Sequence, residues 1–257
     1  MSDTVKVPLS KTQMGIYAES LSFPESTLYN LPFLGALGKD ICVQRLTEAI
    51  RTAFLAHPCL NVRIFADEKG NIQQQISDTA VSIDLFEMSD DTFAQRKQDL
   101  VRPFDLMGGP LYRFEIYMTP SGNYFFQDVH HVIFDGCSID LLARDVRRAY
   151  DGEELQPETW TEMDVALEEV TSGKSEAYER ARMYYAELLD GRDCECLPVR
   201  NCFEKMPRQG WLTREFQLDT NAFRSLRRDA GISTTAFFTS IMGFLTAKYT
   251  YRSESVI

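Results

Sequence analysis

The pattern of apolar and polar positions along the chain predicts an alternation of helices and strands. Apolar residues between positions 43 and 55 recur at the spacing of one helix face. Similar spacing predicts helices over 93–100, 138–150, 175–189, 221–230 and 234–249. Runs rich in β-branched and aromatic residues predict strands over 61–65, 72–76, 111–118, 124–133 and 211–218. The sum is an α/β fold with a mixed sheet flanked by helices.

Two stretches of the chain are predicted to lie outside these elements. The acidic stretch 153–169 is expected to be a solvated face or a linker rather than a binding site. Segment 190–210 combines prolines, mixed charge and three of the six cysteines, so it is the best candidate for a boundary between domains.

Composition excludes several function classes. With 257 residues, of which 44% are hydrophobic, the chain can bury a sizeable core. Its net charge of −11 is unfavourable for nucleic acid and for anionic membranes. No apolar run approaches the ~20 residues of a membrane span, and the start lacks the apolar core of a signal peptide. The cysteine spacing differs from that of zinc sites. We therefore expect a cytoplasmic protein that binds no metal, nucleic acid or membrane.

The candidate chemistry lies at two adjacent histidines. His130 and His131 make up two of the three histidines in the chain, and three apolar residues separate them from Asp135-Gly136. Successive side chains of a strand point to opposite faces, so only one of the two imidazoles can face a given cleft. A single imidazole titrates near neutral pH and can accept or donate a proton.

The sequence after the histidines predicts a turn and then a helix. Ser138 is predicted to cap this helix and Gly152 to end it. Backbone N–H groups near Gly136 could face developing negative charge, and Gly136 has no side chain to block a substrate. A junction between strand and helix is therefore predicted to be the reaction centre.

The pattern HHxxxDG on a strand, a turn and a helix resembles the active-site motif of nonribosomal peptide synthetase condensation domains. It also resembles the wider superfamily of chloramphenicol-acetyltransferase-like acyltransferases. Further segments match the condensation domains in the same order along the chain. They are Leu9–Tyr17, His57–Phe65, the Arg102–Arg113 stretch with its "PFDL" and "GPLYR" sequences, and Gly231–Thr250.

This resemblance implies roles for the residues of the motif. His131 would face the reaction channel as the catalytic imidazole beside Gly136, while His130 would pack behind it and support the strand. The motif aspartate, Asp135, would be a structural ion-pair partner. Asn61 stands where many members carry the first of two arginines, so Arg63 is the predicted partner of Asp135, and Arg113 is the less favoured alternative.

The resemblance also implies the reaction and its partners. An acyl or aminoacyl donor would arrive as a phosphopantetheine thioester on a carrier protein domain, and a carrier-bound amine would attack it to form an amide. The phosphopantetheine belongs to the carrier, so the chain itself would bind no cofactor or metal. Adenylation and other synthetase domains are the further expected partners.

Condensation domains have two lobes and are longer than this chain. We predict that 1–195 is a chloramphenicol-acetyltransferase-like N-terminal lobe, and that 196–257 is the truncated beginning of a similar C-terminal lobe. Such a piece would be inactive alone. Two other classes stay open: a stand-alone acyltransferase for a small alcohol or amine, and a non-catalytic module that binds a carrier protein.

Overall fold

The computed structural model describes residues 5–191, 214–215, 217–253 and 255. The chain divides into two compact units, Met1–Tyr178 and Glu179–Ile257. The predicted lobe boundary at 195/196 and the three clustered cysteines lie outside the described residues, so that boundary stays a prediction.

The first unit contains two sheets flanked by helices. The smaller sheet is antiparallel, with order β1-β4-β3, and comprises β1 (Val7–Pro8), β3 (Val62–Ala66) and β4 (Ile72–Ile76). The larger sheet has order β2-β7-β6-β5 and comprises β2 (Asn30–Ala36), β5 (Asp84–Glu87), β6 (Tyr112–Thr119) and β7 (Gly122–His130). Because β5 runs parallel to β6 and the other pairs are antiparallel, the prediction of a mixed sheet is confirmed.

The helices over 43–56 and 136–150 lie where the sequence predicts them, whereas those over 11–22 and 162–172 were not predicted. Residues 93–100 begin in a helix and continue as a 3-10 turn at Lys97–Asp99. A second 3-10 turn, Pro58–Asn61, leads into β3. The helices are α1 (Lys11–Ser22), α2 (Val43–Ala56), α3 (Asp90–Arg96), α4 (Gly136–Tyr150), α5 (Glu162–Ser172) and α6 (Glu176–Leu189), the last of which runs into the second unit.

The largest core cluster joins α2 and α4 to the four-stranded sheet. The predicted apolar face of α2 is buried at 43, 46, 50 and 54, whereas Leu55 is 73% exposed and does not belong to it. These side chains pack against residues of β6, β7 and α4, including Phe114, Val129 and Leu142. The burial of this cluster fixes α4, and with it the segment that follows the two histidines.

The strand β7 is shorter than the sequence predicts. It ends at His130 rather than at 133, because the Ile133 N–H returns to the His130 carbonyl (3.1 Å) and closes a turn. His131 N–H still bonds to the Tyr29 carbonyl (2.8 Å), so the end of β7 remains tied to the chain before β2.

The second unit contains the remaining part of α6 and two further helices, α7 (Thr220–Ala230) and α8 (Thr234–Thr250), which confirm the predicted pair. Gly231 adopts a left-handed φ of 64° and ends α7. Of the predicted strand 211–218, the described residues are not in a strand, and the others lie outside the description. No single described helix is long and apolar enough to cross a membrane; α7 and α8 meet that test only as a pair, with a 91° bend between them.

Candidate active site

The two histidines end up in different surroundings. His131 is half-buried and lines a cleft of about 540 Å3 between α1, the 132–135 turn and the chain leading into α5. His130 is only 4% exposed, and its edge touches a separate cavity of about 360 Å3 lined mainly by residues 103–107. The dipeptide therefore gives one imidazole to the large cleft and one to the interior, as the strand alternation predicts.

The His130 ring is held by aromatic neighbours and by the backbone. It lies 6.1 Å from the Tyr29 ring and meets Phe104 edge to face at 5.7 Å. Its Nδ1 accepts a hydrogen bond from the Val132 N–H (3.2 Å). Burial, and then the nearby charges of His131 and Arg113, lower the pKa of His130 to about 4. His130 is therefore neutral at physiological pH, which suits a packing role.

A buried ion pair stands behind His130. The Asp128 carboxylate is fully buried and accepts hydrogen bonds from Asn30 Nδ2 (2.7 Å) and Arg113 Nη1 (2.9 Å). Arg113 also donates to the Pro103 carbonyl (2.6 Å), and its guanidinium lies 3.8 Å from the centre of the Phe104 ring. Burial raises the pKa of the Asp128 carboxyl and lowers that of Arg113, since desolvation disfavours both charges. Removal of either partner would leave the other charge without its counter-ion and would lower the stability of the fold.

The predicted ion pair between Asp135 and Arg63 is not formed, and Arg113 does not replace Arg63 in it. Asp135 is the N-cap of α4, where its Oδ1 accepts from Ser138 N (2.8 Å) and Ser138 Oγ (2.6 Å). The Ser138 hydroxyl is the main cause that lowers the pKa of Asp135. Arg63 instead donates to the Val62 carbonyl (3.0 Å) and lies 5.9 Å from the Tyr112 ring centre.

The prediction that Ser138 caps this helix is also wrong. An aspartate directly before the first helical residue reaches the open N–H groups of its own helix without ordering any distant segment, so the local bond wins. The other end of the helix follows the prediction: Gly152, with a left-handed φ of 91°, lies directly after the C-cap residue Asp151.

Gly136 is the first residue of α4 and borders open space. Apart from its chain neighbours and the backbone of its own helix, no atom lies within 4 Å of a Cβ built at Gly136, and its role of leaving room for a substrate stays a prediction. The N–H of Ser138, in contrast, is already bonded to Asp135. That the Gly136 N–H contacts negative charge on a substrate thus stays a prediction.

Residues 153–161 are here called the strap, and its last part, with the start of α5, forms the outer wall of the cleft. Glu158, Trp160 and Glu162 line the cleft. Glu158 bonds to His57, Glu162 accepts from Ser10 Oγ (2.6 Å), and Glu169 accepts from the Lys11 N–H (2.7 Å). The expectation of a solvated face or linker is wrong for 162–169, which form part of α5 and bond to α1. Residues 153–160 are mostly exposed, as expected, although Glu158 attaches them to the end of α2.

Gln13 is a site residue that the sequence reasoning missed. Its Nε2 donates to the Val132 carbonyl (3.0 Å), next to His131, and to Gln74 Oε1 (3.1 Å), while Gln74 Nε2 donates back to Gln13 Oε1 (2.7 Å). The Ser10-x-x-Gln13 spacing signals the capping box that forms at α1. No local sequence pattern indicates that the Gln13 side chain bonds to β4 and to the Val132 carbonyl.

The described residues offer no metal centre at this site. No group of three His, Cys, Asp or Glu side chains in the described part of the chain is arranged to hold a metal ion. Cys59 also lines the cleft, and burial raises the pKa of its thiol, which keeps the sulfur protonated and weakly nucleophilic. Acid–base chemistry at His131 is what this arrangement can supply.

The chain is similar in sequence to parts of several large synthetases. Tyrocidine synthase 3 of Brevibacillus parabrevis is 24% identical over 261 residues, which cover 97% of this chain and 4% of that protein. Gramicidin S synthase 2 of Aneurinibacillus migulanus is 26% identical over 202 residues, covering 78% of this chain and 4% of that protein. Surfactin synthase subunit 2 of Bacillus subtilis (strain 168) is 24% identical over 185 residues, covering 72% and 5%.

Solved condensation domains share the fold. The starter condensation domain of the rhizomide synthetase superposes with a TM-score of 0.64 at 18% identity, covering 74% of this chain and 49% of that one. The first condensation domain of the calcium-dependent antibiotic synthetase gives a TM-score of 0.58 at 21% identity, with the same coverage. The chain thus spans about half of these solved domains and about a twentieth of the synthetases. The family model "Condensation domain" matches residues 4–257, and the chain belongs to the condensation-domain family.

Proposed function

We propose that this chain is the N-terminal part of a condensation domain that forms amide bonds in nonribosomal peptide synthesis. The observation that carries the proposal is the separation of the two histidines. His131 lies in an open cleft at the start of a turn, while His130 is buried and neutral. A lone accessible imidazole beside an unobstructed glycine suits proton transfer during acyl transfer.

The proposed reaction joins a thioester donor to an amine acceptor. The amine nitrogen attacks the thioester carbonyl, a C–N bond forms, and the C–S bond breaks. The nitrogen loses a proton, and the leaving phosphopantetheine sulfur ends as a thiol. His131 accepts the proton of the amine or holds the amine for attack, which typically contributes ~10²–10⁴-fold to such a transfer.

The remaining predicted residues support this centre in the proposal. Gly136 leaves the approach to His131 open, and His130 fixes the end of β7 from inside. Asp135 orients the first turn of α4 as its cap, and Arg63 supports β3 against Tyr112.

The partners and the organisation of the domain belong to the same proposal. Carrier protein domains would deliver both substrates, and adenylation domains would load the carriers. Residues 1–195 would form the N-terminal lobe and 196–257 the start of the second, in a synthetase of the cytoplasm. The phosphopantetheine would enter and leave with the carriers, so the chain would need no cofactor of its own.

The decisive experiment is a single-turnover transfer assay with the native polypeptide that contains this chain, after its intact mass has been measured. An acyl-loaded carrier and an aminoacyl-loaded carrier are mixed with it, and the amide product is followed by mass spectrometry. His131→Ala should remove product formation by ~10²-fold or more, whereas His130→Ala should lower stability and largely keep the rate of the folded fraction.

Other outcomes would contradict the proposal. If His130→Ala removes the activity and His131→Ala keeps it, the assignment of the two histidines is wrong. Product formed only from a free alcohol or amine would indicate a stand-alone acyltransferase. Binding of the carrier without any transfer would indicate an interaction module.

A further inference from the structure

His57 joins two elements that border the His131 cleft. It follows the last residue of α2 and precedes Pro58, and its side chain is 13% exposed. Its Nε2 lies 3.1 Å from Asp145 Oδ2 on α4, and its Nδ1 lies 2.8 Å from Glu158 Oε1 on the strap. One imidazole therefore connects two carboxylates that are carried by separate parts of the fold.

The two carboxylates are held with different strength. Asp145 is buried and also accepts hydrogen bonds from Arg144 (2.9 and 3.1 Å) and from Arg148 (3.2 Å). The side chain of Glu158 is 39% exposed, and its backbone N–H bonds to the Ala56 carbonyl (2.9 Å). Asp145 is thus the fixed end of the connection, and Glu158 is the end that can be released.

Both bonds require the charged ring. An imidazolium has two N–H donors, but a neutral imidazole has one, and a carboxylate cannot donate when it is ionised. After loss of the proton, one carboxylate must face a bare ring nitrogen. Asp145 keeps its arginines in either case, while exposed Glu158 can turn to water at little cost, so Glu158 is the group that leaves.

We propose that His57 is a positioning residue, which in its protonated form holds the strap in place as the outer wall of the His131 cleft. On deprotonation, Glu158 detaches from the ring, and the wall that carries Trp160 loosens. The inference rests on the proposed function only for its effect on turnover; the strap itself can be measured without any substrate.

The surroundings of His57 limit how far this movement extends. Charged groups face it from α4 (Asp145, Arg144, Arg148) and from the strap (Glu153, which bonds to Arg148, and Glu158), and the Cys59 thiol borders the same small cavity. Beyond Trp160, the capping box of Thr161 with Asp164 and the Ser10–Glu162 bond keep α5 attached. The bond from the Glu158 N–H to the Ala56 carbonyl does not depend on His57, so the movement is confined to the Glu158 side chain and to the residues between 158 and 161, which include Trp160.

Tryptophan fluorescence provides the test. The 257 residues contain two tryptophans, Trp160 in the strap and Trp211, so in a polypeptide of these residues the Trp211→Phe background leaves Trp160 as the sole reporter. Acrylamide quenching is followed from about pH 5.5 to about pH 8.5, the range in which imidazoles titrate. Quenching should increase in one transition as the pH rises. The transition should be lost in His57→Gln and in Glu158→Gln, because an amide can bond to either form of its partner.

Two controls separate this transition from other titrations. Glu154→Gln changes an exposed carboxylate on the same strap and should keep the transition. His131→Ala should also keep it, although the same variant should lose amide formation, so the two proposals can fail independently. No transition in the parent, a transition that survives Glu158→Gln, or one that vanishes in His131→Ala would each overturn the inference. Glu158→Gln carries the test if His57→Gln does not fold.

Discussion

The polar side chains on the two sides of the end of β7 differ in burial and in the partners to which they bond. On the interior side, His130 and Asp128 are buried, and Asp128 bonds to Arg113, whose side chain is mostly buried. On the cleft side, His131 and Asp135 line a large open space, and Asp135 bonds to Ser138 in the first turn of its own helix. The strand period of two places neighbouring, chemically identical residues on these two sides. Burial thus separates the two histidines, which is the basis of the structural role proposed for His130 and the catalytic role proposed for His131.

The strongest way to break this contrast is to remove the charge behind His130. Asp128→Ala would leave Arg113, whose side chain is only 17% exposed, without its carboxylate, and we expect the free energy of unfolding to fall by about 3–5 kcal/mol. Urea denaturation followed by circular dichroism measures this. The matched control is Asp140→Ala on the exposed side of α4, which should change stability by less than about 0.5 kcal/mol. Equal losses in both variants would show that Asp128 is not a buried partner.

The pH dependence of stability sharpens the contrast between the histidines. The pKa of His130 is lowered to about 4, below its ordinary value of 6.5, so the unfolded chain binds more protons at His130 than the folded chain does. Neutral His130 therefore contributes roughly 3 kcal/mol to the free energy of unfolding above about pH 6.5. This contribution is lost as the pH falls toward 4.

The measurement compares urea unfolding of the parent and of His130→Phe at intervals across this pH window. The difference between them should change by this amount as the pH falls, whereas the difference between the parent and His131→Ala should not follow the same curve. A constant difference for His130→Phe would mean that folding does not lower the pKa of His130.

A smaller effect is expected at the floor of the cleft. Gln13→Ala removes the donor to the Val132 carbonyl and the reciprocal amide pair with Gln74, both of which are buried. We expect a loss of about 1–3 kcal/mol, because buried polar groups remain without partners. Gln95→Ala, at an exposed position of α3, is the control in the same urea titration. A loss no greater than that of the control would remove Gln13 from the support of the histidine turn.

The smallest effect concerns Asp135. As a helix cap, its replacement by alanine should cost about 0.5–2 kcal/mol. A double-mutant cycle with Arg63→Ala should give a coupling within about 0.3–0.5 kcal/mol of zero, since the two side chains make no bond. A coupling above about 1 kcal/mol would restore the ion pair that the resemblance implied.

The sequence predicted elements well where the information was local. The apolar period of α2 and the turn residues between β6 and β7 identified those elements, because each depends on nearby residues. The cleft wall could not be predicted in the same way. Glu158 finds His57 across 101 positions of the chain, and Gln13 finds Val132 across 119, so no spacing rule connects them.

The error at Asp135 has a different origin. An ion pair was expected by analogy, but an aspartate directly before a helix has a partner within reach in its own first turn, and the buried ion pair formed at Asp128 and Arg113 instead. An ion pair is therefore present, but Asp128 and Arg113 form it rather than Asp135 and Arg63.

The register of β2 has a consequence for self-association. Because Tyr29 accepts from His131 N–H and the pairing alternates along the strand, Pro32, opposite Asp128, turns its nitrogen to the side away from β7. On that outer side the Asn30 N–H is already bonded to the Thr27 carbonyl (3.1 Å), and Pro32 has no hydrogen to donate. A strand of another molecule that approached this rim would therefore meet an interrupted ladder, which protects the sheet from edge-to-edge aggregation although Phe33 and Leu34 are partly exposed beside it.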